Sequence, residues 1–225
     1  MQSTATLDSF TATEFLVDGY ENCPKTILLT GVSWHEYERF LADFEEKAGW
    51  HLAYNDGNLE IMPPLAEHEK PARTIDRLTY AYSDYFDLIM EALGSTTYRR
   101  ELKLKGVEPD SCYYVQSASK IIGKIEDLKP ESYPVPDVAV EIDVTHGSLD
   151  KFPIYAALQV GELWIYDGAE MRFFQLAGEK YNQTQTSRAF PRLSANVLTG
   201  FLAESRTDGQ SAALKSFRKW LESQK

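Results

Sequence analysis

Four residues of this chain could do chemistry together: Asp110, Glu141, Asp143 and Lys151. In the run 137–145, Val138, Val140, Ile142 and Val144 point to one side of a strand, while Asp137, Ala139, Glu141 and Asp143 point to the other. A second extended stretch, 111–116, is entered through Glu108-Pro109-Asp110. Antiparallel pairing of the two would bring Asp110 beside Glu141 and Asp143. Three carboxylates at a strand end make a hard-oxygen site suited to Mg²⁺ or Mn²⁺. Such an ion acidifies bound water and neutralises charge building on a phosphate. Lys151, in the first turn of the next segment, could aim an ammonium at the same place and stabilise the transition state.

The same residue types also allow plainer roles. One-sided alternation suits a strand with a solvated face, which carries carboxylates freely. Asp137 directly follows Pro136 and fits a strand entry as well as a ligand, and Lys151 fits an ordinary surface lysine. His68 and His146 are secondary candidates, whereas His35 and His51 read as structural or exposed.

The elements that must position these residues follow from pattern. Ser33-Trp34-His35-Glu36 is a capping box, with Trp34, Tyr37, Phe40, Leu41 and Phe44 at helical spacing behind it and Gly49 as the stop. Residues 51–62 read as a hairpin around Asp56-Gly57. After Pro63-Pro64 the spacing of Ile75, Leu78, Tyr82, Phe86, Ile89 and Leu93 predicts a long helix over about 67–93. Residues 98–105 alternate as a strand. A short helix follows Asp150, with Pro153 in its first turn and Gly161 beyond its end. Strands over 162–166, 171–176 and 180–186 and helices near 196–202 and 211–221 complete the chain. A mixed β-sheet flanked by helices is the economical α/β architecture. The Ser/Thr-rich first dozen residues are expected to fray, leaving 13–225 as one domain with a helical tail.

The 225 residues suffice for one well-filled domain. No stretch approaches the ~20 apolar residues of a membrane span, and the start lacks the basic and apolar regions of a secretory signal. Two cysteines, Cys23 and Cys112, without a CxxC pair, argue against a disulfide framework or a structural zinc site and for a reducing cytoplasm. The formal charge of −11 opposes binding to a polyanion. Arg99, Arg100, Lys103 and Lys105 nevertheless make a local basic strip that could track a phosphate backbone.

Several stretches together resemble the Uma-two-type putative restriction endonuclease family, a branch of the PD-(D/E)XK nuclease superfamily. They are Asp56-Gly57-Asn58-Leu59-Glu60-Ile61-Met62-Pro63-Pro64 followed by His68; Glu108-Pro109-Asp110; Pro136 through Asp143; Leu149-Asp150-Lys151 through Tyr155; and Val160 through Asp167. The resemblance runs from about 33 to 202. It implies a restriction-endonuclease-like core with extra antiparallel strands, in which an Asp opens one core strand and a Glu-x-Lys occupies the next. Asp110 and Glu141 match the first two positions. Asp143 stands where the superfamily has its lysine, and the resemblance implies that Lys151 supplies the migrated cation. Asp137 shares a strand with Glu141 at ~13 Å, so Asp110 is the preferred ligand. Glu67 or Glu69 could serve as the acid that the superfamily often places on its first core helix.

The expected activity is that of a Mg²⁺- or Mn²⁺-dependent endonuclease, on DNA rather than RNA, acting as a homodimer. A catalytically inactive scaffold for oligomerisation or partner binding is the alternative, favoured by the acidic surface and the missing motif lysine. A phosphodiesterase for small nucleotides is a third reading, which a closed pocket would support.

Overall fold

Short-range sequence signals build the first half of the molecule. A computed structural model describes residues 3–7, 10–15, 26–44, 50–63, 65–124, 132–144 and 149–224. The Ser33 backbone N–H and hydroxyl each donate to the Glu36 carboxylate at 2.7 Å, and Glu36 N–H returns a bond to Ser33 Oγ at 3.3 Å. Helix α1 (Trp34–Phe44) starts there. The expected stop at Gly49 lies outside the described residues, as do Thr145 and His146. Asp56 and Gly57 both take positive φ, 47° and 86°. That backbone matches the twist of a two-residue hairpin and joins β4 (His51–Asn55) to β5 (Asn58–Met62).

This hairpin is the centre of an antiparallel sheet. Its order is β1 (Ser3–Leu7), β2 (Phe10–Phe15), β3 (Thr26–Thr30), β5, β4, β8 (Lys105–Val107), β7 (Tyr98–Arg100). Strand β1 and the start of β2 lie within the first dozen residues, which were expected to fray. Helix α1 seals one face, with Tyr37 stacked on Tyr54 at 4.7 Å between centroids. A Cβ on Gly106 would come within 2.1 Å of the Tyr37 hydroxyl, so this strand needs a glycine at the crossing.

The second sheet is mixed, in the order β13 (Lys180–Thr184), β12 (Met171–Ala177), β11 (Glu162–Tyr166), β10 (Val138–Ile142), β9 (Ser111–Tyr114), β6 (Glu91–Ala92). Strands β10 and β11 are parallel and joined through α3 (Phe152–Leu158); the other pairs are antiparallel. Val138, Val140 and Ile142 face a core shared with α2 (Ala66–Tyr85), α4 (Ala195–Thr207) and α5 (Gln210–Glu222). Ala139 faces a second core, where Ile154, Tyr155 and Leu158 of α3 meet Ala53, Tyr98 and Val107 of the antiparallel sheet. Strand β10 is therefore buried on both sides, and its end lies where the two sheets and α3 converge. Among the described residues no helix is long and apolar enough to cross a membrane.

Two expectations need correction. Residues 98–105 are not one strand. They fold back through a 3₁₀ turn, Glu101–Lys103, and Leu104 at φ 48°, so that Arg100 pairs with Lys105. Alternating charged and apolar residues without Gly or Asn give no turn signal, and pairing of β8 with β4 outweighs strand continuity. The long helix stops at Tyr85 rather than near Leu93. Ser83 binds Leu88 through both its carbonyl and its hydroxyl (3.0 and 2.7 Å), Asp87 turns left-handed, and 91–92 joins the edge of β9. Ile89, at helical spacing, is 70% exposed.

Candidate active site

Pairing of β9 with β10 fixes the first carboxylate. Val138 lies opposite Tyr113 and Val140 opposite Ser111, which brings Asp110 to the end of β10 as the alternation predicted. The Asp110 N–H donates to the Val140 carbonyl at 3.0 Å, and Ile142 N–H donates to Asp110 Oδ2 at 2.7 Å. Oδ1 takes no hydrogen bond from a described residue. Asp110 is 5% exposed and Glu141, on the adjacent strand, 4%. A solvated strand face is thus overturned for both: these acids are buried, which is costly unless they are paired or hold a cation.

The pairing comes from α3. Pro153 sits in its first turn, and Asp150 Oδ1 accepts the Phe152 N–H at 3.0 Å, fixing where the helix begins. Lys151 and Tyr155 are one helical turn apart and so share a face. Lys151 Nζ lies 2.6 Å from Glu141 Oε2, and the Tyr155 hydroxyl donates to Glu141 Oε1. From the antiparallel sheet, Glu60 (1% exposed) accepts the Leu149 N–H at 3.0 Å, two residues before Lys151. Helix α2 contributes His68, also buried. Glu60, His68, Glu141, Asp143 and Lys151 line one cavity of about 260 Å³, with Met62, Leu149 and Leu163 among its apolar walls. Asp110 is not part of this lining, but its carboxylate accepts the N–H of Ile142, which is.

Electrostatics follow from burial. Desolvation pushes the Asp110 carboxyl up to about 6, against the pull of Lys151 and of the Ile142 N–H. Desolvation also raises Glu141, again opposed by Lys151, while Asp110 repels it. For Lys151, burial favours loss of the proton, but Glu141, Glu60 and Asp110 outweigh it and hold the ammonium charged. Burial and the Glu141 charge keep the Tyr155 hydroxyl protonated. His68 is lowered to about 4 by burial and then by Lys151 and His51, so its imidazole is neutral at pH 7.

The three-carboxylate cage expected from the sequence does not form: among the described residues no group of three His, Cys, Asp or Glu is placed to hold a metal ion. Asp143 lines the cavity, its backbone N–H donating to the Tyr166 carbonyl at 2.8 Å. The donor chemistry still fits a hard divalent ion. Mg²⁺ is commonly held by one or two carboxylates with water and substrate phosphate completing its shell. Asp110 and Glu141 are two such carboxylates, mutually repelling, and the Lys151 ammonium bonds only one of them.

Other sequence candidates sit elsewhere. Asp137 Oδ2 accepts from Val115 N–H (2.7 Å), Ser117 N–H (2.9 Å) and Ser117 Oγ (2.9 Å) at the opposite end of β10. Glu67 is exposed and lines a separate cleft with Lys70 and Arg206. Glu69 pairs with Arg73 at 3.6 Å, and both act on the charge of Asp110. None of the basic strip lines the cavity. Lys105 is buried against Asp56 at 2.6 Å, Arg100 donates to the Arg99 and Tyr133 carbonyls, and Lys103 donates to the Ala157 carbonyl. The Arg99 charge is felt at Tyr37. His51 lies 3.4 Å from the Glu108 carbonyl, in a structural position, and His35 is exposed.

Two site residues escaped the sequence reading. Both lie in stretches that carry the family resemblance, yet neither was singled out: Tyr155 was marked otherwise only by its four-residue spacing from Lys151, and Glu60, an acid on an alternating hairpin strand, reads as solvent-facing.

A family model described as Uma2, putative restriction endonuclease, matches residues 34–204. No curated protein matches. Among solved structures, the crystal structure of a putative nuclease belonging to DUF820 from Anabaena variabilis aligns with 67% of this chain and 90% of its own. The two share 16% sequence identity, with a TM-score of 0.47.

Proposed function

The chain belongs to the Uma2 putative restriction endonuclease family, and we propose that it hydrolyses phosphodiester bonds in nucleic acid, DNA in preference to RNA, with a divalent metal. One observation carries this reading: two buried carboxylates, Asp110 and Glu141, meet at a strand end beside a cavity, with the Lys151 ammonium 2.6 Å from Glu141. Asp110, through Oδ1, and Glu141 would hold Mg²⁺ or Mn²⁺. The bound ion would supply an acidified water and neutralise charge on the phosphate. Tyr155 fixes the Glu141 carboxylate. Lys151, charged at neutral pH, presents a cation to the scissile phosphate, where it is worth most as charge develops. Neutral His68 offers the cavity a proton acceptor. A homodimer would set two such centres against the two strands of a duplex.

The test is cleavage of supercoiled DNA and of structured RNA with Mg²⁺ or Mn²⁺. Asp110→Asn and Glu141→Gln should abolish cleavage without unfolding the protein. Parental rates in both variants, or full activity in chelator, would sink the reading.

A second reading, an inert scaffold, draws on one fact: both Glu141 oxygens are already engaged, by Lys151 and Tyr155. A scaffold should bind no Mn²⁺ through these residues.

A further inference from the structure

Glu60 belongs to β5 of the antiparallel sheet, yet its carboxylate is directed at the other half of the molecule. It is 1% exposed, accepts the Leu149 N–H at 3.0 Å and lines the same cavity as Lys151. Burying a carboxylate there is costly unless a cation shares the space. After Glu141, Glu60 is the strongest charge holding the Lys151 proton, ahead of Asp110. Lys151 thus shares one cavity with two acids contributed by different sheets, and it bonds Glu141 at 2.6 Å.

We infer that Glu60 is a positioning residue that gives the Lys151 ammonium a second seat, so that Lys151 guards Glu141 in the metal-free protein and shifts toward Glu60 when a divalent cation takes that carboxylate. The inference rests on the metal-site reading above. Physically, a cation entering beside Glu141 cannot tolerate an ammonium 2.6 Å from the same oxygen. Lys151 must move, and Glu60 keeps its charge compensated after it has moved. The Leu149 N–H anchors the segment, so the side chain swings while its backbone stays fixed. Displacement leaves the ammonium facing the cavity, where a phosphate would meet it.

A double-mutant cycle read by Mn²⁺ calorimetry, without nucleic acid, tests this. Glu60→Gln keeps an acceptor for the Leu149 N–H and removes only the charge. Lys151→Ala should tighten Mn²⁺ binding about tenfold or more, because the competing cation is gone. Glu60→Gln should weaken binding about tenfold in the parental protein and less than about twofold in the Lys151→Ala background. Equal weakening in both backgrounds means that Glu60 acts on the metal directly, and overturns the inference. So does unchanged affinity in Lys151→Ala. A parallel cycle on metal-free unfolding should give non-additive losses for the pair. Additive losses with Mn²⁺ binding intact remove the role of Glu60 alone, whereas no Mn²⁺ binding in any variant removes the metal-site reading and the displacement with it.

Discussion

The two ends of β10 both carry an acid, yet they do opposite things. At the entry, the Asp137 carboxylate accepts two backbone N–H groups and a hydroxyl, all from the turn after β9. Its charge is absorbed by local donors, and the result is a clamp. At the exit, Glu141 meets an ammonium and a tyrosine hydroxyl, both brought by α3, and the repulsion of Asp110 from the start of β9. That end borders a cavity. The difference lies in the balance of charge: donors from one turn neutralise a single acid and make a brace, whereas one ammonium set against two buried acids leaves charge that a ligand can use. The hairpin over β7 and β8 repeats the lesson for cations. Lys103, Lys105 and Arg100 spend their donors on Ala157, Asp56 and nearby carbonyls.

The sharpest way to break this contrast is to exchange the effects of its two ends. Lys151→Ala should lower cleavage by about 10²-fold or more, as loss of a transition-state contact does, while the fold persists. Asp137→Ala should leave the cleavage rate per folded molecule intact and cost about 1–3 kcal/mol in urea unfolding, because buried donors lose their acceptor. A cleavage loss in Asp137→Ala comparable to that of Lys151→Ala would erase the distinction.

A pH measurement sharpens it further. The Asp110 carboxyl, raised to about 6 by burial, keeps its proton in the folded state across a range where the unfolded chain has released it. Stability from this group is therefore fully present below about pH 4 and lost as pH rises through 6. His68, lowered to about 4, works the other way: its contribution is present above about pH 6.5 and lost as pH falls toward 4. Asp110→Asn, which retains an acceptor for the Ile142 N–H, should stabilise the metal-free protein at pH 7 by on the order of 1–3 kcal/mol, and the gain should vanish near pH 4. No gain at pH 7 would mean that the Asp110 charge is already compensated.

The smallest expected effects concern the hairpin. Lys105→Ala should cost about 1 kcal/mol, since Asp56 is largely exposed and the pair is partly screened. Lys103→Ala should lower the salt slope of DNA binding by about one only if the hairpin tracks phosphate. An unchanged slope gives the hairpin a purely structural role.

What was legible in the sequence divides along the same line. The alternation in 137–145 predicted strand β10 and its two faces, and the antiparallel partnership with 111–116 predicted that Asp110 would reach Glu141. The capping box and the Asp56-Gly57 turn are local signals, and both formed. What stayed hidden depends on long-range packing. Glu60 looks solvent-facing until the two sheets meet, and the fold-back at 101–104 is driven by pairing with β4. The helix beyond Tyr85 had the right spacing but lost to the free edge of β9. Burial separated the two readings of the carboxylates, and alternation alone does not encode burial on both faces.

The central claim is that the exit of β10 is a metal centre built on Asp110 and Glu141. Mn²⁺ titration into the parental protein and into Asp110→Asn, Glu141→Gln and Asp137→Asn tests it most directly. The account predicts one site per chain, lost in the first two variants and unchanged in the third. Equal Mn²⁺ affinity in all four proteins would contradict it.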